Sequence, residues 1–217
     1  MEKTKFLIGI DEAGRGPLAG PVAVGAVVVM LRSNLGRKRF DLGFGALRDS
    51  KQLSPARRET WFKWLKQARR KKKLNFAVSL VGEKIIDRRG IVPAIKIGIR
   101  RVLNKLNLSP TTCHILLDGG LCAPVKYKNQ RTIIRGDRTV PIIMLASIAA
   151  KVRRDHRMIK LAKLYPHYDF EIHKGYGTKR HYGALRHYGL SPLHRRSFLK
   201  KFEKICKIKM LPQTQRP

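Results

Sequence analysis

Asp11 and Glu12 stand side by side at the end of an apolar, β-branched run over residues 6–10, and a Gly14-Arg15-Gly16 turn follows them. A run of that composition, bounded by breakers, reads as a short buried strand. The chain must therefore build a sheet that carries two acids at the end of one strand. Unpaired buried charge costs several kcal/mol at least, so such acids usually acquire a partner, commonly a cation. The glycines let backbone N–H groups approach a ligand closely, and Arg15 between them suits a phosphate. For Asp-Glu-x-Gly taken alone, a polar strand-to-turn junction at the surface is an equal reading.

The rest of the chain alternates strands and helices. Residues 21–30 (PVAVGAVVVM) form a second β-prone run, a natural partner for the first. Residues 31–47 are rich in Gly and Arg and read as a loop. Ser54 and Pro55 open a helix as N-cap and first residue, and that helix runs to about Lys73 through a basic run at 69–73. Residues 75–81 form a strand, and 83 to about 106 form a helix pair or one helix bent at Gly90. Residues 114–118 (HILLD) and 131–137 (RTIIRGD) are strands that end on acids. Residues 141–164 are a long helix, apolar on one face from Ile142 to Val152, and 178–188 and 192–208 are further basic helices. No internal repeat is visible. Elements in this order give an α/β sheet with helices on both faces.

Charge narrows the partners. The 217 residues include 48 Lys plus Arg against 14 Asp plus Glu, a formal net charge of +34. A polyanion is the first expectation, and nucleic acid fits better than a membrane because the basic residues spread over the whole chain. The bland alternative is a basic composition shared by a whole proteome. No apolar run reaches the roughly 18 residues of a membrane span, and the first residues lack the apolar stretch of a signal peptide. Cys113, Cys122 and Cys206 form no CxxC pair, which favours free thiols in a reducing cytoplasm over disulfides or zinc.

Against so many bases the acids are informative. Asp11, Glu12, Asp118 and Asp137 share an address at the end of an apolar strand, each with a glycine within two residues. If those strand ends are neighbours, the carboxylates converge, and like charges so close raise each other's pKa unless a cation neutralises them. Oxygen ligands without clustered His or Cys favour Mg²⁺ or Mn²⁺. A carboxylate cluster with two such ions is a device for in-line phosphodiester cleavage. Independent loop-capping aspartates are the plainer alternative.

Four ordered motifs carry a family resemblance. Residues 11–22 (DEAGRGPLAGPV), 49–54 (DSKQLS), 146–155 (ASIAAKVRRD) and 173–178 (HKGYGT), with His181 following, resemble the motifs of type 2 ribonucleases H, the ribonuclease HII family. The resemblance implies a ribonuclease H-like mixed five-stranded sheet flanked by helices. Chain length fits one domain with an extension, here residues 1–190 as the catalytic domain and 191–217 as a basic C-terminal helical extension and tail. The resemblance implies that Asp11, Glu12 and Asp118 are catalytic metal ligands and that Asp137 completes the set. Asp137 is preferred to Asp155 because it precedes the ASIAAKV helix, and Asp155 then reads as an i,i+4 partner of Lys151. Gly14, Arg15 and Gly16 would hold phosphates around a ribonucleotide and sense its 2′-OH, with Tyr176 against the sugar. That hydroxyl is what tells RNA from DNA at a given site. Ser50 and Lys51 of the second motif are candidate phosphate contacts, and Lys51 is preferred because it carries the charge.

The activity so implied is a metal-dependent endoribonuclease. It would use two Mg²⁺ or Mn²⁺ ions on the RNA strand of RNA–DNA hybrids. It would also cut on the 5′ side of ribonucleotides embedded in duplex DNA, leaving 3′-OH and 5′-phosphate ends. A cytoplasmic monomer without membrane contact is expected. The alternative is a non-catalytic basic RNA- or ribosome-binding protein, which has no need of converging acids. A DNA integrase or resolvase on the same sheet is disfavoured by the Gly-Arg-Gly turn and Tyr176. His173 and His181 read as hydrogen-bonding structural histidines ahead of a proton shuttle. Trp61 and Trp64 read as core, and the basic runs at 69–73 and 195–208 as solvated faces or nucleic-acid contacts.

Overall fold

The structure, a computed structural model, describes residues 5–31 and 53–206. Side-chain alternation on the first strands sets the architecture. In β1 (Phe6–Ala13), Ile8 and Ile10 face one side of the sheet, while Leu7 faces the other, as a two-residue period requires. In β2 (Val22–Met30), Val22, Val24, Ala26 and Val28 join the first side, and Val27 and Val29 the second. A strand covered on both faces reads as an unbroken apolar run, which is why residues 21–30 show no polar alternation.

β3 (Asn75–Val81), β4 (Cys113–Asp118) and β5 (Gln130–Ile133) complete a five-stranded sheet in the order β3-β2-β1-β4-β5. β1–β2 and β2–β3 are antiparallel, whereas β1–β4 and β4–β5 are parallel. The parallel register sets Ile10 beside Leu117 and so brings Asp11 level with Asp118. At the β3 edge, α3 (Ile91–Leu106) sends Arg101 and Lys105 to the carbonyls of Leu80 and Val78, at 3.4 and 3.2 Å. Cations on outward carbonyls blunt an edge against strand addition.

α3 lays its apolar stripe, including Ile95, Ile99 and Val102, on the Ile8–Ile10 side. The opposite side is covered by α1 (Pro55–Arg70) and the long helix α5 (Pro141–Leu164). α5 comes so near the sheet that a Cβ on Gly9 or Gly25 would overlap its backbone at Ile142 or Ala146. The remaining helices are α2 (Glu83–Arg89), α4 (Gly136–Thr139), α6 (Phe170–His173), α7 (Lys179–Tyr188) and α8 (Arg196–Cys206). Beyond the sheet, Met158 and Leu161 of α5 pack with Tyr168, Phe170, Leu185 and Leu193 in a separate apolar cluster. Ser191, His194, Arg195 and Leu199, at the start of the segment set apart by sequence as an extension, are all buried.

Several sequence expectations shift. Ser54 and Pro55 do open α1, with the Ser54 hydroxyl accepting from Arg57 N–H, but the helix stops at Arg70 rather than Lys73. Lys72 there turns left-handed (φ 54°) and breaks the ladder. Of the two readings open at 83–106, the helix pair holds, with Gly90 (φ 85°) between its members. Asp137 does not end a strand: β5 stops at Ile133, and left-handed Arg135 (φ 55°) leads into the single turn of α4. α8 starts at Arg196 rather than 192, because residues 191–194 close a turn through His194 N–H to Ser191 O at 3.1 Å. Trp61 and Trp64 are partly buried against the α5-side core, edge to face at 5.5 Å. Residues 32–47 of the expected loop, and Lys51, lie outside the described residues. No helix among the described residues is long and apolar enough to cross a membrane.

Candidate active site

Three elements deliver the acids. Asp11 lies on β1, Asp118 is the last residue of β4, and Asp137 sits in the first turn of α4. Carboxylate oxygens of the three all lie within 4.8 Å of one another. The peptide N–H of Asp137 donates to Asp118 Oδ1 at 3.1 Å, and that of Glu12 donates to Asp11 Oδ1 at 2.7 Å. Asp11 and Asp137 are only 4% and 3% exposed. Glu12, next along β1, stands outside this triad and pairs with Arg15 at 3.4 Å.

Burial holds the Asp11 carboxyl well above the usual carboxylate range; the Ser147 hydroxyl opposes this, and Glu12 and Asp118 push the same way as burial. Burial also raises Glu12, with the Arg15 guanidinium opposing. Buried acids that repel one another need positive charge at their centre. An oxygen-only donor set with this spacing fits a hard divalent cation such as Mg²⁺ or Mn²⁺ and gives no site to a soft metal.

Beside the acids, the glycine turn is held from beneath by two buried arginines. Gly14 adopts φ +84°, and a Cβ there would fall inside the Arg154 side chain. Arg154, on α5, donates from Nε to Pro21 O at 2.9 Å and from Nη2 to Ala19 O at 3.3 Å. Arg195 donates from Nε, Nη1 and Nη2 to the carbonyls of Gly20, Arg15 and Gly14, at 2.9, 3.0 and 2.8 Å. Burial lowers both guanidinium pKa values; that of Arg195, beside Arg154, falls to about 9 and still leaves the group charged at neutral pH.

Tyr176 is 49% exposed, and its ring lies 5.7 Å from the Arg154 guanidinium. Its backbone is fixed by a histidine chain. His181 Nδ1 donates to Tyr176 O at 2.9 Å, and His181 Nε2 meets His194 Nε2 at 3.0 Å. His194 Nδ1 accepts from Ser191 N–H at 2.9 Å, so His194 Nε2 carries the proton given to His181. His173 is likewise neutral: Nε2 donates to Tyr168 O at 2.6 Å and Nδ1 accepts from Gly175 N–H at 3.1 Å. Every ring nitrogen of His173 and His181 is engaged in holding backbone or a neighbouring ring, which is a structural role.

The structure thus gathers Asp11, Asp118 and Asp137, with Glu12 adjoining, and sets Gly14, Arg15, Gly16 and Tyr176 over Arg154 and Arg195. Asp155 pairs with Arg58 at 3.8 Å rather than with Lys151, because α1 packs against α5 there. Arg195, read within a solvated basic run, is fully buried. Sequence reasoning also passed over Arg154 and His194. A run such as Arg153-Arg154-Asp155 carries no sign of which arginine turns inward; only the packing phase of α5 decides it.

A mixed sheet in this order, with acids on its central strand, on the parallel neighbour and on the helical turn beside them, defines the ribonuclease H-like nucleases. The crystal structure of ribonuclease H2 from Pyrococcus horikoshii OT3 matches it with a TM-score of 0.67 at 27% identity, covering 93% of this chain and 99% of that one. The family model described as Ribonuclease HII matches residues 8–201, and the chain belongs to that family, an endoribonuclease. Ribonuclease HII of Endomicrobium trichonymphae is 43% identical over 88% of this chain and 83% of its own length. Ribonuclease HII of Caldicellulosiruptor bescii is 42% identical over 92% and 89%. The reading as a non-catalytic RNA- or ribosome-binding protein is thereby set aside.

Proposed function

We propose that this endoribonuclease is metal-dependent, and that it cuts both the RNA strand of RNA–DNA hybrids and the 5′ side of a ribonucleotide embedded in duplex DNA. The observation that carries the reading is the approach of three carboxylates within 4.8 Å, two of them buried, in a chain of net charge +34. Asp11, Asp118 and Asp137 would hold Mg²⁺ or Mn²⁺, with Glu12 beside them. Two such ions, when bound, would supply a water nucleophile at neutral pH and charge stabilisation on the leaving oxygen, consistent with 5′-phosphate and 3′-OH ends.

The protein's own groups supply the remainder. Burial of Asp11 and Asp137, with peptide N–H bonds to Asp11 Oδ1 and Asp118 Oδ1, holds the acid oxygens in place before substrate arrives. The exposed Arg15 and the Gly14 and Gly16 backbone would bind phosphates flanking a ribose, and Tyr176 would lie against the sugar and sense its 2′-OH. Lys51 is the further phosphate contact we propose from its motif. All of the acids come from one chain, which supports a monomer as the active unit. The free thiols of Cys113 and Cys122 fit a reducing cytoplasm as its setting.

A duplex with one ribonucleotide, incubated with and without Mg²⁺ or Mn²⁺, tests the reading. Metal-dependent cleavage on the 5′ side of the ribonucleotide is expected. Cleavage that persists in chelator would exclude the metal role, and an untouched duplex would exclude ribonucleotide excision.

A further inference from the structure

Arg154 and Arg195 are buried to 1% and 0% exposure, yet among the described residues neither is ion-paired with a carboxylate. A buried cation without compensation is costly. The hydrogen-bonded compensation comes from a single loop's backbone, the carbonyls of Gly14, Arg15 and Gly20 on Arg195 and those of Ala19 and Pro21 on Arg154, while Asp155, Glu83 and Asp87 act only at longer range. In a trans peptide the C=O and the following N–H point in opposite directions. Carbonyls of Gly14 and Arg15 drawn inward therefore turn the N–H groups of Arg15 and Gly16 outward, and both residues are exposed. Outward N–H groups above two buried cations form an edge suited to an anion. Arg154 also lies under the Tyr176 ring, which links the turn to the tyrosine.

We propose that Arg154 and Arg195 are positioning residues that lock the 14–16 turn and Tyr176 into one arrangement, and that this arrangement sets selectivity for the ribose beside the cut phosphate. The inference rests on the reading of that turn and Tyr176 as ribose contacts. Geometry, beyond charge, is what the arginines provide. Arg195 spans carbonyls at both ends of the loop with a planar fork, and a lysine ammonium cannot reproduce that span.

Arg195→Lys and Arg154→Lys test this through kcat and KM on two duplexes at fixed salt, one with a single ribonucleotide and one with a continuous RNA strand. Melting temperature follows folding, and calorimetric Mn²⁺ titration follows the acid cluster separately. Each variant is expected to lose about tenfold more kcat/KM on the single ribonucleotide than on continuous RNA, with Mn²⁺ affinity unchanged. Equal losses on both substrates would overturn the proposal. Failure of both variants to fold would also overturn it, since the arginines would then serve the fold at large. The underlying reading fails differently: wild-type protein would ignore the single ribonucleotide, and the proposal would fall with it.

Discussion

The peptide N–H of Asp137 donates to Asp118 Oδ1 at 3.1 Å, so the acid that ends β4 also anchors the first turn of α4. Two acids of the cluster are fixed by the β1–β4 register, and the third hangs on one of them. Strand pairing thus defines the cluster's position, and this hydrogen bond joins the α4 acid to it. The Asp118 carboxylate has two tasks, one toward the helix and one toward the cluster's centre.

Asp11→Asn separates function from stability. The amide keeps the size and removes the charge, so cleavage should fall by orders of magnitude while hybrid binding survives on the basic surface. Because burial and neighbouring acids hold the Asp11 carboxyl above its usual range, its charge is a burden to the metal-free fold at neutral pH. The metal-free variant should melt at or above the wild-type temperature, and Mn²⁺ should stabilise the wild type more than the variant. Calorimetry with and without Mn²⁺ checks both; a variant that melts lower and still gains fully from Mn²⁺ would remove Asp11 from the ligand set.

Much of this site was legible because packing alone gives no reason for an apolar run to end on an acid. Asp11, Glu12 and Asp118 could be read that way from the end of an apolar pattern, although only Asp118 ends its strand and β1 runs on through Asp11 and Glu12 to Ala13. Asp137 was legible as a member but not in its setting, because the left-handed Arg135 that starts α4 leaves no mark on hydrophobic periodicity. Arg154, Arg195 and His194 were not legible. Charged side chains count as solvent-facing in any pattern, and only long-range carbonyls, such as Gly14 with Arg195, reveal that they point inward.

Gly14→Ala probes the packing of the same turn against Arg154. A methyl group there meets the Arg154 side chain, and φ +84° disfavours any L-residue. The combined strain is on the order of 1–3 kcal/mol. The turn should relieve it by shifting off Arg154, giving a melting temperature lower by several degrees and a larger loss of kcat/KM on a single ribonucleotide than on continuous RNA. Unchanged melting would show that the loop yields without cost.

The buried histidines predict a sensitivity to acid. Burial and mutual repulsion lower the pKa of His181 to about 4 and that of His194 to about 3, against an unfolded value near 6.5. Both folded values lie below the unfolded one, so between pH 6.5 and about 4 the unfolded chain binds more protons. The stability of the neutral rings is fully present above pH 6.5 and is lost as the pH falls toward the folded values. The histidine contribution to melting temperature should therefore fall from pH 7 to pH 4, against an opposite contribution from the raised Asp11 and Glu12 carboxyls. His194→Gln, which titrates nowhere in that range, should flatten the slope even where it lowers stability overall; an unchanged slope would assign the acid loss to other groups.

Tyr176 offers the sharpest test of ribose reading, because its ring is half exposed and rests on Arg154 rather than in the core. A site built around a hydroxyl loses several kcal/mol of transition-state binding when that group or its partner is removed. Tyr176→Ala should impair cleavage at a single embedded ribonucleotide more than along a continuous RNA strand, where neighbouring 2′-hydroxyls offer other registers. Tyr176→Phe keeps the ring over Arg154 and removes only the phenol, so it divides the loss between stacking and hydrogen bonding. Lys66→Gln, on the basic α1 face lining a cavity of about 770 Å³ with Arg69 and Arg153, supplies the contrast. It should weaken all substrates alike and flatten the salt dependence. The deciding quantity is the ratio of kcat/KM on the two substrates for each variant at fixed salt. Equal losses for Tyr176→Ala would mean that the tyrosine only covers Arg154 and does not read the sugar.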